Sequence, residues 1–590
     1  MFFASRKTNA DQGDRRRETL QYQQQKTLPR VAYFCMEYGL HPQLPIYAGG
    51  LGILAGDYLK AARDMGLPVV GIGILWAQDY TEQYIGADGR PYDVFPTYDY
   101  SFLQDTGVTV TVNVRGEEVV CRIKKVDQYG NAPLYLLDTN YPGSRHGWIT
   151  SKLYGGSNQD RVAQEIVLGI GGVRALRALG IEVDIYHFNE GHAVFAGLEL
   201  VREKMAQGLS FQEAWRAARR QIVFTTHTPV PAGNEIHDHG LLQYMGAYNG
   251  LTYEQMKMIG GDPFGMTVAG LRLSCIANGV SRIHGEVARR MWKEVSNSAP
   301  IISVTNGVHD RTWQDPAIWD AYQKGQSLWP AHQAAKQRLI DFIRQRTGTP
   351  LNPSALLVGF ARRAAPYKRS DLIFRNTSLI EPLLLNGKLQ LVFSGKAHPA
   401  DEHGKNIIAD LVKMDRRFGD AVVFLENYNM EVAKYLVQGC DVWLNNPRRP
   451  LEASGTSGMK AAMNGVLNLS VVDGWVAEGP QHGISGWLLD HVIEKNAAHW
   501  DQDAEDLKAL YHILVNEVIP TYYEDKDRWG RMMRASIEMS REKFSAHRMI
   551  REYYEQLYSK GGRDPERRTF IHITPEGMDI FQSVLPEAAH

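Results

Sequence analysis

CDVWLNNPRRPLEASGTSGMKAAMNGVLNLSVVDG, Cys440 to Gly474, is the stretch that decides the fold. Two strand-like apolar runs, CDVWLNN (Cys440 to Asn446) and VLNLSVVDG (Val466 to Gly474), enclose a small-residue loop and a short helical stretch. Strand, loop, helix and strand in that order make a crossover between neighbouring parallel strands. Similar apolar runs recur on both sides. LPVVGIGILW (Leu67 to Trp76), VDIYHFNE (Val183 to Glu190), QIVFTTH (Gln221 to His227) and APIISVTNG (Ala299 to Gly307) lie in the first half. ALLVGFARR (Ala355 to Arg363), KLQLVFSG (Lys388 to Gly395) and AVVFLEN (Ala421 to Asn427) precede the opening stretch in the second. Near-continuous apolar strands separated by helices predict parallel sheets covered on both faces. Each half is expected to form its own doubly wound unit, dividing between Gly307 and Pro353.

The thirteen residues Glu452 to Asn464, EASGTSGMKAAMN, combine a carboxylate, a glycine-rich loop and one lysine. Gly455, Ser457 and Gly458 let the backbone approach a ligand, and free N–H groups at the helix start favour a phosphate. A sheltered lysine at Lys460 can lose its proton and form an imine with an aldehyde. An aldehyde that also carries a phosphate describes pyridoxal 5′-phosphate. From spacing alone, a crossover turn with a surface lysine remains equally open.

The composition narrows the class. A chain of 590 residues exceeds one typical core. Lys+Arg 65 against Asp+Glu 66 gives no global pull toward nucleic acid or an anionic membrane. Cys35, Cys121, Cys275 and Cys440 are scattered, with no CxxC pair, as in a reducing compartment. No apolar run approaches a membrane span, and the polar first thirty residues have no signal-peptide core. A cytoplasmic protein is expected.

Polar residues gather at strand ends, where open α/β sheets bind ligands. Glu190 and His192 follow one strand in HFNEGH, His227 ends another in FTTHTPVPAGNE, and Asn306 follows a third. No HExxH or paired-cysteine spacing supports a metal among them. GFARRAAPYKR places Arg362, Arg363, Lys368 and Arg369 after a strand. That is either a solvated charge cluster or a phosphate site. Gly49 and Gly50 in IYAGGLGILAGDYL open a helix and can present N–H groups to an anion.

The segment Glu452 to Asn464 resembles the cofactor-attachment signature of the α-glucan phosphorylases. The similarity extends from about Val31 to about Gly474. It implies two Rossmann-like doubly wound domains facing a central cleft (GT-B architecture), with a C-terminal helical segment crossing back. The expected organisation is a flexible lead-in at 1–29, a glucan-binding lobe at 30–330, a cofactor-binding lobe at 331–560 and a tail at 561–590. By resemblance, Lys460 anchors pyridoxal 5′-phosphate as an imine. Arg362, Arg363, Lys368, Thr456 and Ser457, with Gly50 and Gly455, match phosphate and cofactor positions. His227, Asn306, Glu452 and Ser454, with Gly49, match sugar positions, and Glu190 and His192 match the acceptor side. His227, Arg363, Lys368, Glu452 and Lys460 match catalytic positions. The implied reaction is phosphorolysis of a terminal α-1,4 glucosyl unit by inorganic phosphate, releasing α-glucose 1-phosphate with retention. A homodimer is implied too.

The match also departs from the family. Asn429 replaces an arginine near the cofactor phosphate, Arg362 replaces a lysine, and LYGGSNQDR (Leu153 to Arg161) stands at an altered gate. Arg448 and Arg449 are candidates to compensate for Asn429. Three other readings remain, one of them a pyridoxal enzyme of amino-group chemistry, which must release its lysine during turnover. A retaining nucleotide-sugar glucosyltransferase needs a second glutamate where this chain has Lys460, eight residues after Glu452. A non-catalytic glucan-binding protein needs no cofactor.

Overall fold

The computed structural model describes residues 28–230, 233–492 and 501–562, with the backbone of a last strand pair, Thr569–Thr574 and Gly577–Gln582. Most of the expected lead-in and tail lies outside the described residues.

Apolar strands build two large sheets. The first contains β1 (Val31–Phe34), β2 (Val69–Ile74), β3 (Gln104–Val114), β4 (Glu117–Val126), β5 (Leu134–Asp138), β6 (Ile185–Asn189), β7 (Ile222–Thr225), β8 (Ile276–Gly279) and β9 (Ile301–Ser303). Its order is β9-β8-β7-β6-β1-β2-β5-β4-β3. Seven strands run parallel, and β4 runs antiparallel to both β3 and β5. The parallel pattern expected from the sequence therefore ends at β5. The exposed faces of β3 and β4 alternate polar and apolar residues, as a hairpin with one wet side does.

The second sheet contains β10 (Leu356–Ala361), β11 (Leu389–Ser394), β12 (Val422–Leu425), β13 (Val442–Asn445), β14 (Leu467–Ser470) and β15 (Gly486–Leu488). All six are parallel, in the order β12-β11-β10-β13-β14-β15. Successive side chains sort into two cores, as period two requires. Leu356, Val358 and Phe360 enter one core while Leu357 and Ala361 enter the other. Val442 and Leu444 likewise oppose Trp443.

In each sheet the winding reverses at one crevice, between β1 and β6 and between β10 and β13. Such switch points are where open α/β sheets hold ligands. Two seams connect the sheets there. The hairpin Glu82–Ile85 with Pro91–Val94 reaches the second sheet. Gln83 accepts from the Ala397 N–H at 2.9 Å, and Lys396 donates to the Thr81 carbonyl at 2.6 Å. On the other side, Ser281 donates to the Ala453 carbonyl at 2.6 Å, and Glu478 accepts from Thr305 at 2.7 Å.

Between the sheets run the helices Pro316–Gln323 and Trp329–Thr347. Ile318, Ala321 and Leu328 already belong to a core of the second sheet. After helix Lys526–Phe544, the helix Ala546–Glu552 and the turns to Tyr558 return to the first sheet. Met549, Ile550, Tyr553, Tyr554, Leu557 and Tyr558 lie in that sheet's core. The Tyr558 hydroxyl is 2.7 Å from Tyr58 Oη and 2.7 Å from His187 Nδ1. No described helix is long and apolar enough to cross a membrane.

Candidate functional site

β10 ends at Ala361, so Arg362 stands at the mouth of the second switch point. β13 ends at Asn445, and its loop brings Glu452 to the same place. The Glu452 carboxylate accepts from Arg362 Nη2 at 2.5 Å and from Lys368 Nζ at 2.6 Å. Arg362 also donates to Asn445 Oδ1. Burial alone raises the pKa of a carboxyl group. Here Arg362 and Lys368 outweigh burial and hold the Glu452 pKa down at about 2. Gly455 follows with φ +80, a left-handed conformation that costs a residue with Cβ. A Cβ there would lie 3.4 Å from Glu452 and 3.6 Å from Arg362 Nη2.

Thr456 is the N-cap of the helix Ser457–Met463 and makes no side-chain capping bond. Ser457 Oγ instead accepts from the Trp443 indole at 3.2 Å. At Gly458 a Cβ would strike Asn468 Oδ1 at 2.5 Å, so glycine there lets the helix pack on β14. Lys460 points into a pocket that spacing did not reveal. Its Nζ lies 3.8 Å from the ring centroid of Trp313. Asp57, fully buried on the helix Gly50–Asp64, accepts from Trp313 Nε1 at 2.9 Å and from the His309 N–H at 3.1 Å. Burial lowers the Lys460 pKa to about 8, against the attraction of Asp57. Burial raises the Asp57 pKa, against the pull of Lys460 and His309.

Across the seam, Glu190 follows β6 with φ +77, a strained conformation for a residue with a side chain. Its carboxylate accepts from the His227 N–H at 2.5 Å, Thr228 Oγ1 at 3.1 Å and the Gly191 N–H at 3.0 Å. It thus shapes the turn that presents His227. His227 Nε2 is 2.6 Å from Asn189 Oδ1, and burial lowers its pKa to about 3. His192 lies farther along, with its Nε2 3.8 Å from Glu235 and its ring 5.7 Å from Tyr154.

The other candidates divide. Arg363 is exposed and lies close enough to Tyr80 and His398 for its charge to act on both. Arg369 is buried and bound to Asp503 at 2.8 Å and Asp506 at 2.6 Å, so it serves the fold. The Gly49 N–H is taken by Glu37 at 3.0 Å. At Gly49 and Gly50 a Cβ would meet nothing within 4 Å, so packing does not demand glycine at either. Asn429 caps the helix Met430–Gly439 by accepting from the Val432 N–H at 3.0 Å. Arg448 pairs with Asp503, and Arg449 with Asp490 and Asp506. Neither is spare to stand in at Asn429.

Among the described residues near this crevice, His192 Nδ1, Thr226 Oγ1, Asn306 Oδ1 and Ser454 Oγ are buried without a hydrogen-bond partner. Each such atom costs about 1–3 kcal/mol when left unpaired. The first three follow β6, β7 and β9, and Ser454 lies in the loop after β13, so strand ends of both sheets offer atoms that sugar hydroxyls would satisfy. Thr226 was not singled out by motif.

The carbohydrate phosphorylase family profile matches residues 320–478, which span the lysine helix and the Glu452 cluster. The chain is also 39% identical to a maltodextrin phosphorylase of Thermococcus litoralis over 90% of its own length and 70% of that protein's. The chain belongs to the carbohydrate phosphorylase family. As a family member it is also 38% identical to a glycogen phosphorylase of Mycobacterium bovis, over 95% of this chain and 75% of that one. It is 36% identical to a glycogen phosphorylase of Aquifex aeolicus, over 90% and 86% respectively.

Proposed function

We propose that this family member is an α-glucan phosphorylase that cleaves a terminal α-1,4 glucosyl unit with inorganic phosphate, releasing α-glucose 1-phosphate with retention. The observation that carries the reading is the row of unpaired buried polar atoms beside a buried cluster of fixed charges. Sugar hydroxyls satisfy such atoms, and hydrogen bonds made only by the right substrate supply specificity. The two sheets are read as the two lobes of a GT-B architecture, 30–330 and 331–560, with the cleft along their switch points.

The residues present suit pyridoxal 5′-phosphate. Lys460 would attach it, because a lysine titrating near 8 has an appreciable neutral fraction at cellular pH. Thr456, Ser457 and Gly455, at the start of the lysine helix, would hold its phosphate, with Gly50 and the cations Arg362 and Lys368 near by. When bound, the group would supply a phosphate that titrates near neutrality, suited to acid–base work at cellular pH.

The chain's own groups do the rest. Arg363, Arg362 and Lys368 bind and orient the attacking phosphate. Glu452 stays ionised at cellular pH, so it aligns those cations and accepts from a sugar hydroxyl. His227 stays neutral and meets the sugar as a hydrogen-bonding group, held by Asn189 and Glu190. Asn306, Ser454 and Gly49 line the sugar position, and His192 the acceptor side. The buried crevice excludes water that would otherwise intercept the cationic sugar. The four cysteines are free thiols, which suits a cytoplasmic enzyme. We assign it a homodimeric state by family resemblance.

The test is glucose 1-phosphate release from a maltodextrin with and without inorganic phosphate. Phosphate-dependent release from the parent enzyme, abolished in Lys460→Ala, is expected. Release of free glucose, or no release from folded protein carrying the cofactor, would overturn the reading.

A further inference from the structure

Three side chains from distant stretches of sequence converge beside the lysine pocket. Asp64 ends the helix Gly50–Asp64, His309 follows the seam after β9, and His547 lies on the returning helix Ala546–Glu552. Asp64 Oδ2 is 3.0 Å from His309 Nε2 and 3.3 Å from His547 Nε2, and one donor atom from each of the three residues lies within 4.8 Å of the others. Around a tetrahedral zinc ion, ligands at about 2.0–2.2 Å stand about 3.3–3.5 Å apart. The two imidazoles, whose donor atoms lie within 4.8 Å of each other, would close toward that spacing around an ion.

We propose that Asp64, His309 and His547 bind a divalent transition-metal ion of the zinc type, with water as the remaining ligand. Two imidazoles and a carboxylate are a borderline-soft donor set of the kind zinc takes. The surroundings fit. His309 Nδ1 is 2.8 Å from Thr312 Oγ1, which also accepts from Lys60 Nζ at 3.1 Å. The Thr312 hydroxyl has a second lone pair and a proton, so it serves either tautomer of His309. With Asp64 alone, His309 Nε2–H donates to the carboxylate. With a metal, the proton moves to Nδ1, donates to Thr312, and leaves the Nε2 lone pair for the ion. Ligating histidines need such an outer partner. The other carboxylate oxygen, Asp64 Oδ1, is 3.5 Å from Arg311 Nη1, which steadies it without blocking Oδ2. The side chains of Asp64 and His547 are 19% and 24% exposed, which gives an ion a path from solvent.

The ion would act as a clamp. It would join the helix that carries Asp57, the segment that carries His309 and Trp313, and the chain's returning end. Glu165, Glu235 and His237 also lie close enough to share an ion, but Arg161 already neutralises Glu235 at 2.7 Å.

The experiment uses untagged full-length protein, stripped with a chelator and dialysed against Co²⁺ or Zn²⁺. Expected are one ion per chain by elemental analysis, visible bands of four-coordinate cobalt, and a higher unfolding temperature with zinc. His547→Gln and Asp64→Asn should lose all three, with His547→Gln unfolding near the stripped parent. Thr312→Val should keep the ion but bind it about 10–100-fold more weakly. Three outcomes would overturn the proposal: no stoichiometric uptake by the parent, undiminished uptake in both ligand variants, or uptake lost in His237→Gln instead.

Discussion

The Lys460 ammonium lies over the face of Trp313, 3.8 Å from its ring centroid, while the indole N–H of the same tryptophan donates to Asp57 at 2.9 Å. One side chain therefore walls the lysine and holds the carboxylate that partly offsets its burial.

Replacing Trp313 by Ala opens that wall to water. The Lys460 pKa then moves up from about 8 toward its ordinary value. Attachment to an aldehyde needs the neutral amine, whose fraction grows as pH rises through the pKa. Borohydride trapping of added pyridoxal phosphate, followed by mass spectrometry across pH, should show the midpoint near 8 in the parent. In Trp313→Ala the midpoint should lie at least one pH unit higher.

Glu452→Gln leaves two buried cations without their counter-charge. Breaking a buried pair in this way costs about 3–5 kcal/mol. Because the folded pKa is depressed to about 2, the parent keeps this stabilisation above the unfolded carboxylate pKa. It loses it as pH falls from about 4.5 toward 2. Denaturant titrations across that window should show a steeper acid loss in the parent than in Glu452→Gln.

Ser454→Ala deletes a buried hydroxyl that has no partner. The free protein should gain about 1 kcal/mol. The KM for glucose 1-phosphate or the glucan should rise by about ten-fold, one hydrogen bond's worth. A purely structural serine would predict the opposite sign in the unfolding measurement.

Arg363 and Arg369 should separate function from fold. Arg363→Ala, at an exposed position, should change stability by no more than about 0.5 kcal/mol while lowering kcat/KM for phosphate at least ten-fold. Arg369→Ala removes one of the two arginines that hold Asp506 and should destabilise by about 1.5–3 kcal/mol. Thermal unfolding and initial rates on the two variants decide.

Five of the six strands of the second sheet, and four of the nine in the first, were legible because buried parallel strands must be apolar on both faces, as Leu356 to Ala361 are. Glu452, Arg362 and Lys368 were legible because each follows a strand or loop that ends at the switch point. Asp57 and Trp313 were not, since nothing in DYLK or RTWQ marks them until folding brings them to Lys460. The hairpin of β3 and β4 was missed because its alternation is weaker than the solid apolar runs. Asn429 read as a lost arginine, and the structure shows its local task as a helix cap. Arg448 and Arg449 read as candidates to compensate for Asn429, but their acidic partners, Asp490, Asp503 and Asp506, lie 41 to 57 residues on in sequence.

The last helices reach back to fill the interior beneath β1 and β6, through Met549, Tyr554 and Tyr558. During synthesis the strands leave the ribosome long before the side chains that seal them. The first-made half must therefore wait, its apolar floor open, until residues 546–558 have been released. Domains often fold as they emerge; here the order of manufacture and the order of burial run in opposite directions. A ribosome stalled before Ala546 would display an unfinished core, a surface suited to chaperone capture.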